Sequence, residues 1–149
     1  MDINVLGSSS KGNCYIVSDG TTRLLLDCGV PIRRILSGID FKPEIVAGCL
    51  VTHSHGDHVK SAHELMFRGI TVCASAGCIR AANIGGAVPV ESMKMFTVGT
   101  FRVLPFDIQH DAPEPLGFLL KSTVTDEKLL YFTDSYYLKY RFTGITHIL

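Results

Sequence analysis

The chain has 149 residues, of which 46% are hydrophobic and 19% charged, with 14 basic and 14 acidic side chains. This length suits one domain over residues 1–149 that buries a core without structural disulfides, and the low charge excludes a disordered chain. Zero net charge gives no overall attraction to nucleic acid or to an anionic membrane. We also find no apolar run near the roughly 18 residues of a membrane span, and no signal-peptide pattern. We therefore expect a cytoplasmic domain that does not bind membranes.

The first half of the chain begins with three short apolar strands and then alternates helices with strands. Strands are predicted at 2–6, 14–18 and 23–27, with Asp19-Gly20 as a hairpin turn and 7–13 as a loop. The pattern then predicts a helix at 31–38, a buried strand at 45–52, a helix at 58–68, a strand at 70–74 and a helix at 75–83.

The second half is mostly strand. Strands are predicted at 100–105, 116–122 and 128–133, a helical turn at 136–141, and the start of a strand at 146–149. Strands mixed with helices and crossovers favour an α/β sandwich. Because the chain stops on an apolar strand, we expect a fragment of a longer protein, with an open sheet edge that favours a homodimer.

The densest group of ligand-type residues is His53-Ser54-His55-Gly56-Asp57-His58, which follows a buried strand and precedes a helix. Side chains two apart at a strand end point the same way, so His53 and His55 can converge on one cation. Gly56 permits a sharp turn, after which Asp57 and His58 can face a second cation. Imidazole and carboxylate groups suit Zn²⁺, Mn²⁺ or Fe²⁺. The sequence therefore predicts a metal site here.

This segment resembles the HxHxDH motif of the metallo-β-lactamase-fold hydrolases, and the resemblance extends along almost the whole chain, through 24–29, 109–111 and 131–135. The resemblance implies an αββα sandwich, incomplete at its C-terminus, that uses two divalent ions. A histidine that the family supplies from its C-terminal portion has no match here. The resemblance assigns one metal to His53, His55 and His110, the other to Asp57 and His58, a bridging position to Asp134, and to Asp27 the bracing of the metal-binding loop.

More narrowly, segments 7–13 and 111–118 resemble the YycJ/WalJ-type branch of bacterial DNA-processing nucleases. This resemblance implies hydrolysis of phosphodiester bonds in nucleic acid by a metal-bound hydroxide, which Asp57 would orient as the catalytic residue. Four residues of the first segment are candidates for substrate binding through an anion-binding nest: Ser9, Ser10, Lys11 and Asn13. The alternative for that segment is a plain turn between strands.

Two other functions stay open. The same hydroxide could cleave thioesters, lactones or other acyl substrates, or the chain could bind metal without completing a catalytic site. The histidines outside the motif, His63 and His147, are expected to lie on the surface or to pack, and the five cysteines to be buried thiols. The tyrosines at 136, 137 and 140 are expected to pack one helical turn, or to form an aromatic ledge near the cleft.

Overall fold

The computed structural model describes all residues from Met1 to Leu149, which form two β-sheets packed face to face with helices against the outer face of the first. The first sheet contains, in spatial order, β1 (Asp2–Ser9), β2 (Gly12–Ser18), β3 (Arg23–Leu26), β4 (Gly48–Leu50), β5 (Val72–Ala74) and β6 (Val88–Pro89). The helices are α1 (Ile32–Gly38), α2 (Gly56–Val59), α3 (Ala62–Phe67) and α4 (Ala76–Ala81), with a 3-10 turn at Pro43–Ile45.

The second sheet is built mostly from hairpins. It contains, in spatial order, β11 (His147–Ile148), β10 (Lys128–Tyr131), β9 (Leu116–Ser122), β8 (Phe101–Asp107) and β7 (Phe96–Val98). Its strands pair antiparallel except β11, which joins β10 in parallel and forms one edge. In the first sheet β1 to β3 pair antiparallel, whereas β3 to β6 pair in parallel.

The core has two main layers, because successive side chains of a strand point to opposite faces. Leu25 and Cys49 point toward the helices, while Leu24 and Leu26 pack against Phe118 and its neighbours in the second sheet. The middle strands of the first sheet are therefore covered on both faces, which explains their unbroken apolar sequence. All five cysteines are buried and unpaired, as predicted. None of the helices has the length and apolar character needed to cross a bilayer.

The structure confirms the sandwich and most predicted elements to within two residues, but it corrects the loop predicted at 7–13. There β1 continues to Ser9 and β2 begins at Gly12, so only a two-residue turn remains. A register shift between Val5 and Gly7 keeps the strands paired. A Cβ on Gly7 would lie 2.6 Å from a Val30 side-chain atom, so glycine serves close packing here and not a loop.

Three further expectations were wrong. The strand predicted at 45–52 shortens to β4, and the helix predicted at 58–68 divides into α2 and α3 at Ser61, whose side chain donates a 2.6 Å hydrogen bond to the Val30 carbonyl. The helical turn predicted at 136–141 is irregular, because Tyr136 donates its N–H to the Gln109 carbonyl and the Tyr140 hydroxyl donates to Asp107. Strands β6 and β7 were not predicted.

Candidate metal centre

The histidine-rich segment joins the end of β4 to the start of α2. His53 is buried just after β4, His55 has extended backbone at the N-cap of α2, and His58 is buried within α2. The loop after β3 lies against α2, so that a Cβ on Gly29 would approach the Asp57 carbonyl oxygen to 1.7 Å. Only glycine permits this close approach. The ring centroids of His53 and His58 lie 4.0 Å apart.

One group of candidate ligands contains the three histidines His53, His55 and His110. Their ligand nitrogens all lie within 4.8 Å of one another. His110 comes from the loop after β8, and its Nε2 lies 3.2 Å from Nδ1 of His55. The structure thus brings together the three histidines that the resemblance assigned to one metal.

A second group contains His53, His58 and Asp134, again with ligand atoms within 4.8 Å. Nε2 of His58 lies 3.0 Å from the Asp134 carboxylate and 3.3 Å from the Asp57 carboxylate. Asp57 therefore borders this group. Asp134 follows β10 with a positive φ of 55°, which turns the chain at the site.

Two nitrogens of the cluster lack hydrogen-bond partners although they are buried, namely Nε2 of His53 and Nδ1 of His110. An unpaired buried imidazole nitrogen is costly unless a ligand occupies it. Nδ1 of His53 contacts the Thr52 hydroxyl at 3.0 Å, which leaves Nε2 directed at the cluster. Burial and the neighbouring His58 lower the pKa of His53 to about 4, so its ring is neutral, as a metal ligand must be. These residues fit a divalent cation with nitrogen and oxygen ligands.

The carboxylate of Asp27 connects the cluster to both sheets. It is fully buried and accepts hydrogen bonds from the Thr52 N–H at 2.7 Å and from the Tyr131 hydroxyl at 2.5 Å. It also lies 2.7 Å from Nδ1 of His58. Burial lowers the pKa of His58, but the hydrogen bond and charge of Asp27 outweigh burial and raise it. These contacts give Asp27 the geometry of the predicted brace, with His58 Nε2 turned toward Asp134.

Of the four candidate substrate-binding residues, the structure brings Asn13 to the cluster. Its side-chain nitrogen lies 3.2 Å from Nε2 of His58 and 3.4 Å from the Asp57 carboxylate. Ser9, Ser10 and Lys11 lie exposed at the hairpin tip, without hydrogen bonds to the ligand groups. Their role in substrate binding remains a prediction.

Sequence reasoning missed two neighbours of the cluster. Thr52 and Tyr131 complete the contacts of Asp27. Tyr136, for which an aromatic ledge near the cleft was one of two expectations, is exposed with its ring 6.2 Å from the His110 ring. A signal was available for Tyr131, because it ends an apolar strand directly before the segment that carries Asp134. His63 is exposed on α3, and His147 lies 3.8 Å from Glu127 on the edge strand, so neither joins the cluster.

Comparison with known proteins supports the same fold. A family described as the anti-Pycsar protein Apyc1 matches residues 6–74. Exodeoxyribonuclease YycJ of Bacillus anthracis is 28% identical over 97% of this chain, and exodeoxyribonuclease WalJ of Streptococcus pneumoniae is 27% identical over 95%. The chain spans 58% and 57% of the lengths of these two relatives.

Among solved structures, the metallo-β-lactamase-fold protein YhfI from Bacillus subtilis superimposes with a TM-score of 0.75. The match has 17% sequence identity and covers 92% of this chain and 63% of that one. The predicted fold is therefore confirmed.

Proposed function

We propose that this metallo-β-lactamase-fold chain carries the metal centre of a hydrolase that cleaves phosphodiester bonds in nucleic acid. The observation that carries the proposal is the convergence of two ligand groups on His53, whose buried Nε2 has no hydrogen-bond partner in the protein. Similarity over nearly the whole chain to two proteins named exodeoxyribonucleases supports nucleic acid as the substrate.

The ligands divide naturally between two cations of the Zn²⁺ or Mn²⁺ type. The free imidazole nitrogen of His53 has one lone pair and serves one cation at a time, so we assign it to the group with His55 and His110. His58, Asp134 and the adjacent Asp57 then serve the other. When bound, such cations supply Lewis-acid activation of a water molecule and of the scissile phosphate.

The protein's own side chains orient the reacting groups. The Asp57 carboxylate is 29% exposed, so it can accept a hydrogen bond from an attacking water while its other contacts hold it in place. Asn13 lies beside both Asp57 and His58, where its amide can fix the carboxylate or donate to a phosphate oxygen. Asp27 keeps His58 in one orientation through the Nδ1 contact.

The direct test is nucleotide release from a 5′-labelled single-stranded DNA oligonucleotide, after reconstitution with Mn²⁺ or Zn²⁺. We expect release by the wild-type chain and by His63→Ala, which changes an exposed histidine outside the cluster. His53→Ala should lower the rate by about a hundredfold or more, since it removes a ligand of the centre.

The alternatives give different results in the same preparation. Hydrolysis of thioester or lactone substrates without nucleotide release would replace the proposal with an acyl hydrolase. Bound metal with turnover of neither substrate class would indicate a metal-binding domain without catalysis.

A further inference from the structure

Three basic side chains lie side by side across the middle of the second sheet. Arg102 of β8 is directly opposite Lys121 of β9, which is directly opposite Lys128 of β10. Each is next in sequence to a residue buried between the sheets, respectively Val103, Leu120 and Leu129, so the three share the outer face. We call them the basic row.

Like charges in directly opposed positions are unfavourable, because the Cβ atoms of such pairs lie only about 4.5–5.5 Å apart. The positive charge of the row is only partly compensated, by Asp126, which lies near both lysines. Lys121 pairs with the exposed Asp126 at 2.7 Å, Lys128 donates to the Thr143 carbonyl at 3.0 Å, and Arg102 forms no ion pair. In a chain with equal numbers of acids and bases, this concentration of positive charge is a local feature.

The basic row lines a groove of about 240 Å³ together with Leu104, Leu119 and Met95. A groove that combines positively charged groups with apolar side chains suits a ligand that carries negative charges along an extended backbone. Strand β8 (Phe101–Asp107) connects this groove to the metal centre, since Arg102 lies near its start and His110 follows in the loop after its end. Five residues of strand cover about 17 Å, so the groove and the centre lie toward opposite ends of one strand.

We propose that the basic row binds the phosphate backbone of a nucleic acid strand whose end lies in the metal centre. The inference rests on the proposed function and deepens it, because it makes polynucleotides the preferred substrate over mono- and dinucleotides. A stacked strand with the helical rise of B-form DNA, about 3.4 Å per nucleotide, spans this distance with about five nucleotides. Contacts to phosphates carry no base information, so binding here is independent of sequence.

The test compares binding of single-stranded DNA of 4 and 12 nucleotides by fluorescence anisotropy, in EDTA so that nothing is cleaved. We expect the wild-type chain to bind the 12-mer at least about tenfold more tightly than the 4-mer. The double variant Arg102→Gln, Lys121→Gln should lose this gain. The slope of log K against log salt concentration should become shallower by about 1.4, because each phosphate contact to a single strand contributes about 0.7. The control Lys60→Gln, Arg68→Gln changes two exposed cations on the helical side and should keep the gain.

Removing repelling charges should leave the melting temperature of the double variant unchanged or raised, which separates a binding defect from misfolding. Unchanged length and salt dependence in the folded double variant would overturn the basic row as a binding site, whether or not the chain cleaves DNA. If the double variant loses the length-dependent gain and the wild-type chain hydrolyses no DNA, the basic row is supported as a binding site and the proposed nuclease function is contradicted.

Discussion

Two buried aspartates lie at opposite ends of β3, and each accepts a hydrogen bond from a side chain of the second sheet. Asp19, in the turn before the strand, accepts from the Thr100 and Ser122 hydroxyls at 2.5 and 2.7 Å and from main-chain N–H groups of its own turn. Asp27, just after the strand, accepts from the Tyr131 hydroxyl and contacts His58. The same device therefore joins the sheets at both ends of the sandwich.

The difference lies in what each carboxylate holds. The hydrogen-bond donors to Asp19 are hydroxyl and main-chain groups remote from the histidine cluster, so its contribution is to stability. Asp27 orients a histidine that is itself a candidate metal ligand, so its contribution extends to the site. The hydrogen bonds of Asp19 can therefore be weakened without changing the metal centre, whereas those of Asp27 cannot.

The largest effect is expected for Asp27→Asn. This change removes the buried charge that pairs with His58 and introduces an amide among groups that all donate to the carboxylate. We expect a loss of about 3–5 kcal/mol in the free energy of unfolding, and metal binding weaker by about 10- to 100-fold. Chelator competition and urea unfolding measure the two effects, and wild-type metal affinity in the folded variant would remove Asp27 from the account of the site.

Asp19→Asn should lower stability without changing metal affinity. Burial raises the pKa of Asp19, but hydrogen bonds from Thr100, Thr22 and Ser122 outweigh burial and lower it from 3.8 to about 2. This shift corresponds to about 2 kcal/mol of stability at neutral pH. The exposed Asp40→Asn serves as the control in urea unfolding and should change little. A weaker metal affinity in Asp19→Asn would show that the two ends are coupled.

The stability difference between wild type and Asp19→Asn should also depend on pH. Because the pKa of Asp19 is lower in the folded chain, its contribution is complete above about pH 4 and is lost as the pH falls through 2. The gap in unfolding free energy between wild type and Asp19→Asn should therefore close between pH 4 and pH 2. A gap of constant size across this range would contradict the hydrogen-bonded, ionised carboxylate.

The smallest effects are expected for the single donors from the second sheet. Tyr131→Phe removes one of several hydrogen bonds to Asp27, and Thr100→Val removes one to Asp19. Each should lower stability by about 1–2 kcal/mol. Titration with Zn²⁺ should show weaker binding by Tyr131→Phe and unchanged binding by Thr100→Val. If Tyr131→Phe binds Zn²⁺ as tightly as the wild-type chain, the role of Tyr131 is limited to stability.

The sequence made the core of the site predictable because four of its side chains lie within six residues. A strand end followed by a helix start leaves few ways to arrange His53, His55, Asp57 and His58. His110, Asp134 and Asp27 are distant in sequence, so periodicity could not associate them with the motif, and the family resemblance supplied them. The structure brings all seven together, while their role in metal binding remains a prediction.

The features that sequence reasoning missed depend on pairing between distant strands. The contact of Tyr131 with Asp27 requires the two sheets to be stacked, and the basic row exists only in the register of β8, β9 and β10. The loop predicted at 7–13 was wrong for a related reason. Its small residues resemble a turn in composition, but they allow close packing inside a hairpin. Local patterns predict local elements, but contacts across sheets require the fold.

We propose that His53, His55 and His110 hold a divalent cation. The most direct measurement is metal content per chain by elemental analysis after reconstitution with Zn²⁺ and removal of free ion, for wild type, His53→Ala and His63→Ala. We expect at least one tightly bound ion in wild type and His63→Ala, and a loss of about one ion per chain in His53→Ala. A wild-type chain without metal, or an unchanged content in His53→Ala, would contradict this proposal.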